Sequence, residues 1–222
     1  SDDASTEPHI RHLLNEYMAR DSRVHVVFRR ENGHISASSN SALELALGEF
    51  IALLDHDDEM TIDALYENAV LLNSHPDADM IYSDEDKITE ESLRHMPFFK
   101  PDWSPDTFLS LMYTCHLGVY RTALVRRIGG FREGFEGSQD YDLVLRLTEH
   151  TERICHIPKV LYHWRSIPAS SAANFQTKGY AQDAGLQAIR EAVQRRGEAA
   201  FVEPVAGMCG RYRVKYSLQD QP

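Results

Sequence analysis

Three carboxylates, Asp55, Asp57 and Asp58, and one imidazole, His56, follow directly on the apolar run 50–54. A short continuous apolar run suits a strand buried on both faces. Open α/β sheets bind ligands beyond the carboxyl ends of their strands. Carboxylates gathered at such a point suit a hard divalent cation, Mg²⁺ or Mn²⁺, which in turn can bridge a diphosphate. The plainer alternative is a polar strand end whose Asp58 caps the next helix. His56-Asp57 also has the form of the dyad in metal-dependent phosphohydrolases. Those are all-helical proteins, whereas this dyad follows a strand pattern.

Three further segments carry groups of interest. Gly137-Ser138 leads into Gln139-Asp140-Tyr141-Asp142 and an amphipathic run. Asp140 falls in a helix first turn, where the dipole favours a carboxylate. An ionised carboxylate at a cleft edge can act as a general base, though acidic first turns are common without that role. Asp142, two residues on, points elsewhere on the helix and reads as structural. In Leu161-Tyr162-His163-Trp164-Arg165, His163 could ligate a metal or phosphate and Arg165 could neutralise a phosphate. A histidine beside aromatics is as readily structural. Asp2 and Asp3 precede a helix start, where they could bind a base or ribose, or cap the helix.

Bulk composition narrows the partners. The chain has 222 residues, 42% hydrophobic, and a formal net charge of -11. That length and apolar content fit one packed domain. The acidic balance disfavours a nucleic-acid partner. Cys115, Cys155 and Cys209 are odd in number and far apart, which argues against a zinc ribbon or disulfide framework and for a reducing compartment. No apolar run is long enough to span a bilayer.

Helix and strand patterns alternate. Helical spacing is predicted from Ser5 or Thr6 with Pro8 in the first turn, over 36–47 closed by Gly48, from Ile62 to Leu72, over 139–149 and over 178–196. Strands are predicted over 24–28, 50–54, from Met80, over 115–120 and over 154–164. Residues 86–105 read as an irregular arm, and the tail from Val205 as ambiguous. The succession implies an α/β domain with a mostly parallel central sheet.

Taken in order, these segments resemble family 2 glycosyltransferases of the GT-A fold, over nearly the whole chain. Asp2-Asp3-Ala4-Ser5-Thr6 is similar to the family's base-contacting Asp-Asp-Gly-Ser-Thr segment, with Ala4 for the usual Gly. Asn32-Gly33-His34-Ile35 through Asn40 resembles the stretch beside the nucleotide. Asp55-His56-Asp57 matches the Asp-X-Asp metal motif. Gln139-Asp140 stands where the family has Glu-Asp, whose Asp is the base. Tyr82-Ser83-Asp84-Glu85-Asp86-Lys87, Phe99-Lys100-Pro101-Asp102-Trp103-Ser104-Pro105 and Ile157-Pro158-Lys159-Val160-Leu161-Tyr162-His163-Trp164-Arg165 are typical of bacterial enzymes that build O-antigen and other surface polysaccharides.

The resemblance implies an inverting, metal-dependent transferase with Asp140 as catalytic base. Asp57, Asp55 and His163 would hold Mn²⁺ or Mg²⁺. Asp2, Asp3, Asn32, Gly33, Asn40, Asp55 and Arg165 would bind the nucleotide-diphosphate sugar. The acceptor would be a glycan or lipid-linked glycan, and the location the cytoplasm at the inner face of the membrane. The family begins with a strand-helix-strand unit of roughly thirty or more residues, and this chain opens after it. Residues 1–200 are then expected to be a front-truncated catalytic domain. Residues 201–222 are expected to be an extension resembling the linker to a second transferase domain. A metal phosphohydrolase and a non-catalytic nucleotide-sugar or glycan-binding module are the alternative readings.

Overall fold

A computed structural model describes residues 1–166 and 179–217. In chain order the elements are α1 (Pro8–Arg20), α2 (His34–Leu45), β1 (Phe50–Ala52), β2 (Glu59–Met60), α3 (Ala64–Ser74), β3 (Met80–Ile88), β4 (Arg94–Phe98), α4 (Pro105–Phe108), β5 (Gly118–Arg121), α5 (Thr122–Arg127), α6 (Gln139–Thr148), β6 (Ile154–Arg165), α7 (Gly179–Arg195), β7 (Ala200–Pro204) and β8 (Tyr212–Tyr216). Pro8 opens α1, where its missing N–H costs nothing. The cap is Glu7, without a side-chain cap bond, so Ser5 and Thr6 stand outside the helix.

The α/β class is as expected, but the sheet is mixed rather than mostly parallel. Its order is β1-β5-β3-β6-β2, with β4 on β3. β3 and β6 pair in parallel. The β1/β5, β3/β5, β3/β4 and β2/β6 pairs are antiparallel. Parallel neighbours need a long crossover, whereas short returns give antiparallel ones. β4 returns from β3 through the tight 89–93 turn, in which Thr89 N–H donates to the Leu93 carbonyl at 3.0 Å. The front of the expected arm is therefore a hairpin. Pro97 within it is tolerated because β4 is an edge strand. The expected 24–28 strand shrinks to one bridge between Asp2 and Phe28.

Alternation along the strands divides the core in two. Met80, Tyr82 and Tyr120 face α6 and α7, together with Phe108, Tyr141, Leu143 and Leu147. Ile81 and Val119 pack with Ala64, Leu161 and Tyr162. The β7–β8 hairpin adds Val202 and Tyr212 to the first cluster. Residues 218–222 of the expected linker lie outside the described residues.

α6 is buried along its length, so its charges are compensated inside. Asp142 is fully buried and accepts from Arg146 Nε at 2.8 Å and from Arg132. Arg146 also donates to the carbonyls of Ile128 and Gly130, at 2.8 and 2.7 Å. This network ties the loop before α6 to the helix that presents Asp140. Removing one partner of a buried pair costs about 3–5 kcal/mol. Asp142→Ala is expected to lose that much, read as a lower urea midpoint at unchanged slope. A loss under about 1 kcal/mol would contradict the structural role.

Candidate active site

Leu53 still bonds to the sheet, its N–H donating to the Gly118 carbonyl at 3.1 Å. The chain then turns, and Asp58 N–H closes on the Asp55 carbonyl at 3.2 Å. Tyr162 of β6 lies beneath that turn with its ring fully buried. Its hydroxyl accepts from Asp55 N–H at 3.2 Å and donates to Asp58 Oδ2 at 2.6 Å. Arg165 completes the support. Its N–H donates to Asp58 Oδ1 at 2.8 Å, and its Nε donates to the Asp57 carbonyl at 2.7 Å. Burial pushes the Asp58 carboxyl above its usual range, against the lowering effect of the Tyr162 and Arg165 bonds.

His116, just before β5, stacks on the Tyr162 ring at 4.7 Å. Asp55, Asp58 and His116 each offer a ligand atom, and these atoms lie within 4.8 Å of one another. Two carboxylates and an imidazole are a donor set suited to Mn²⁺ or a similar divalent ion, so the residues present fit a cation here. Asp57 adds no side-chain atom to this group. His163 lies elsewhere: its Nδ1 meets Asp86 Oδ1 at 2.5 Å, across the β3/β6 register. His56 is exposed. Burial opposes the charged form of His116, but Glu85 outweighs it and holds the imidazole above its ordinary value.

Asp140 is half-buried at the start of α6. One of its oxygens accepts from Tyr141 N–H at 2.8 Å. A cavity of about 340 Å³ has Asp55, His116, Cys115 and Asp140 in its wall, beside the apolar Leu43 and Ile51. Burial pushes the Asp140 carboxyl above its usual range, with His116 opposing. The cavity thus joins the acidic turn to a carboxylate whose proton affinity is raised.

The other sequence-selected residues form two hydrogen-bonded groups outside the cavity wall. Asp2 pairs through its backbone with Val27 and Arg29, at 2.9 Å each. The Asp3 carboxylate accepts from Arg29 Nε at 2.8 Å and from Gly33 N–H at 3.0 Å. Asn32 Nδ2 donates to the Asp3 carbonyl at 3.1 Å. A Cβ at Gly33 would meet Arg29 at 2.5 Å and Ala37 at 2.8 Å, so glycine is needed for this close approach. Asn40 holds Phe131 from both sides, donating to its carbonyl at 2.7 Å and accepting from its N–H at 2.8 Å. His116 carries no sequence signal of a site role. It reaches the acidic turn because β5 lies beside β1.

The chain has the GT-A fold. It is similar to S. aureus TarS solved in complex with UDP-GlcNAc, at TM-score 0.67 and 20% identity, covering 86% of this chain and 56% of that one. It is also similar to the mannosyltransferase PcManGT of Pyrobaculum calidifontis in complex with GDP-Man and Mn²⁺, at TM-score 0.60 and 15% identity, covering 86% of this chain and 53% of that one. Residues 1–129 match the model of glycosyl transferase family 2, and the chain belongs to that family. It is 46% identical to an uncharacterized protein of Sinorhizobium fredii, over all of this chain and 25% of that protein. It is 38% identical to the O-antigen biosynthesis protein RfbC of Myxococcus xanthus, over all of this chain and 17% of that protein. It therefore spans a quarter or less of the length of these two relatives.

The Tyr162 hydroxyl generates a direct expectation. Tyr162→Phe removes the acceptor of Asp55 N–H and the donor to Asp58, each bond worth about 1 kcal/mol. Amide hydrogen exchange at Asp55 should quicken roughly fivefold. Unchanged exchange there would contradict the support role.

Proposed function

We propose that this chain is the catalytic core of an inverting, metal-dependent glycosyltransferase. It moves a sugar from a nucleoside-diphosphate donor to a hydroxyl of a glycan or lipid-linked acceptor, in the assembly of a bacterial surface polysaccharide. One observation carries the reading: in a family 2 chain, Asp55 and His116 of the Asp55-Asp58-His116 cluster line one cavity together with Asp140. The similarity to an O-antigen biosynthesis protein supports the biological setting. The donor class is supported by two fold neighbours whose complexes hold UDP-GlcNAc and GDP-Man with Mn²⁺.

The residues that would hold Mn²⁺ or Mg²⁺ are Asp55, Asp58 and His116, with Asp57 of the Asp-X-Asp pattern in the same turn. A bound cation supplies charge neutralisation on the departing diphosphate. Arg165 supports the acidic turn from β6, while His163 pairs with Asp86 of β3. The group made by Asp2, Asp3, Asn32 and Gly33, with Asn40 at the α2 side, is assigned to the nucleotide. Asp140 takes the proton of the acceptor hydroxyl as that oxygen attacks the anomeric carbon. The bond from that carbon to the diphosphate oxygen breaks through an oxocarbenium-like state. A single displacement inverts the centre. Among the described residues no helix is long and apolar enough to cross a membrane. Work at the inner membrane face, on a lipid-linked acceptor, is part of the proposal.

Turnover by the chain with Mn²⁺, nucleotide-sugars and glycan acceptors tests the reading. Product should require acceptor and carry the inverted anomer. Donor consumption at full rate without acceptor would instead favour a phosphohydrolase, and no product at all a binding module. Asp140→Asn should lower turnover about a hundredfold or more with donor affinity little changed. The wild-type acid limb should lie above the ordinary carboxylate range, near 4, because activity falls as pH drops through the raised Asp140 value. An acid limb at or below that range would contradict the assignment.

The same raised value has a stability sign. A carboxyl with a raised folded pKa favours folding at low pH, and that advantage is lost as pH rises through the folded value. Asp140→Asn removes the penalty of the ionised, desolvated group. Its melting temperature at neutral pH should exceed that of wild type while turnover falls. A lower melting temperature would argue that Asp140 is a structural residue.

A further inference from the structure

Glu85 of β3 and Lys100 form an ion pair at 3.1 Å, with the lysine side chain fully buried and the glutamate 10% exposed. Taking two such charges out of water costs several kcal/mol per ion unless further hydrogen bonds satisfy them. Here those further bonds converge on one residue. Glu85 Oε2 accepts from the His116 backbone N–H and faces His116 Nδ1 at 3.3 Å. Lys100 Nζ donates to the His116 carbonyl at 2.6 Å. One buried pair therefore engages the N–H, the C=O and one ring nitrogen of His116. The pair is itself anchored, since Lys100 N–H donates to Asp84 Oδ1 at 2.9 Å.

The ring has a second reference point. It stacks on Tyr162, whose hydroxyl binds both Asp55 and Asp58. Imidazole and carboxylates are thus registered on one aromatic residue. A neutral imidazole that gives its Nδ1–H to a carboxylate carries its lone pair on Nε2. Carboxylate–histidine–metal arrangements fix the tautomer and ring direction of a ligand in this way.

We propose that Glu85 and Lys100 are a positioning pair: they lock the backbone and Nδ1–H tautomer of His116, so that Nε2 faces a divalent cation held with Asp55 and Asp58. This rests on the metal reading above, and the experiment separates the two. Mn²⁺ affinity is measured on the whole chain by titration with electron paramagnetic detection of free Mn²⁺. Glu85→Gln/Lys100→Met removes both charges together, so no unpaired ammonium is left buried. Its Kd for Mn²⁺ should rise about 10- to 100-fold, the scale for losing an outer-shell partner. Asp142→Asn, in the separate network that Asp142 forms with Arg132 and Arg146, serves as the comparison for a purely structural change and should leave Mn²⁺ affinity unchanged.

The tautomer of wild type is read from its His116 imidazole nitrogen shifts by NMR, without metal and at a pH where the ring is neutral. This measurement does not depend on any variant folding. Protonation at Nδ1 is expected, and a ring protonated at Nε2 would overturn the inference. Unchanged Mn²⁺ affinity in a folded double variant would also overturn it, with the metal reading left standing. Absence of Mn²⁺ binding in wild type would overturn both.

Discussion

A single phenol organises the acidic end of this molecule. The Tyr162 hydroxyl sits between the Asp55 amide and the Asp58 carboxylate, and its ring is the surface on which His116 stacks. Burial pushes its ionisation well above the ordinary tyrosine value, so it stays a hydrogen-bond donor at any physiological pH. Without it the turn after β1 would have to hold nearby carboxylates together in water, where like charges repel. The ring is fully buried in the cluster that also holds Leu161 and Val119. The polar end of the site is thus fixed by apolar packing.

The sheet converts this local device into a site. β5 lies between β1 and β3, which brings the segment before it, with Cys115 and His116, alongside the end of β1. β3 and β6 run in parallel, so the end of β3 meets Tyr162, His163 and Trp164 in register. Asp84, Glu85 and Asp86 on β3 are all buried, and each has a compensating partner. Asp84 meets His156 at 2.9 Å, Glu85 meets Lys100 at 3.1 Å, and Asp86 meets Arg94 at 2.6 Å. Buried carboxylates without such partners would raise their pKa values and cost stability. In the cavity wall, Asp140 has weaker compensation, and its raised proton affinity suits the proposed proton transfer.

The acidic turn and Asp140 were legible in the sequence because each is a local pattern: carboxylates after an apolar run, and an acid in a helix first turn. The helices were legible for the same reason, and α2, α3, α6 and α7 fall close to the stretches that their apolar spacing marks. Strand direction was not. Alternating helices and strands suggest parallel neighbours, but β5 enters from the segment after α4 and runs against both neighbours. His116, Glu85 and Lys100 were also invisible as a unit. They lie on separate segments, and only strand order and the path of the 99–105 segment bring them together. Asp58 was visible as part of the carboxylate cluster, but its bonds to Tyr162 and Arg165 depend on residues more than a hundred positions away.

The central claim is that a divalent cation belongs in the corner between Asp55, Asp58 and His116, beside the cavity whose wall also holds Asp140. Paramagnetic broadening by Mn²⁺ locates such an ion directly. In a titration of isotopically labelled chain followed by NMR, the amide signals of Asp55, Asp58, His116 and Gly118 should broaden first. Those of the β7–β8 hairpin should stay sharp until excess metal is present. Broadening centred instead on Asp86 and His163, or spread evenly over the exposed acidic surface, would contradict the account.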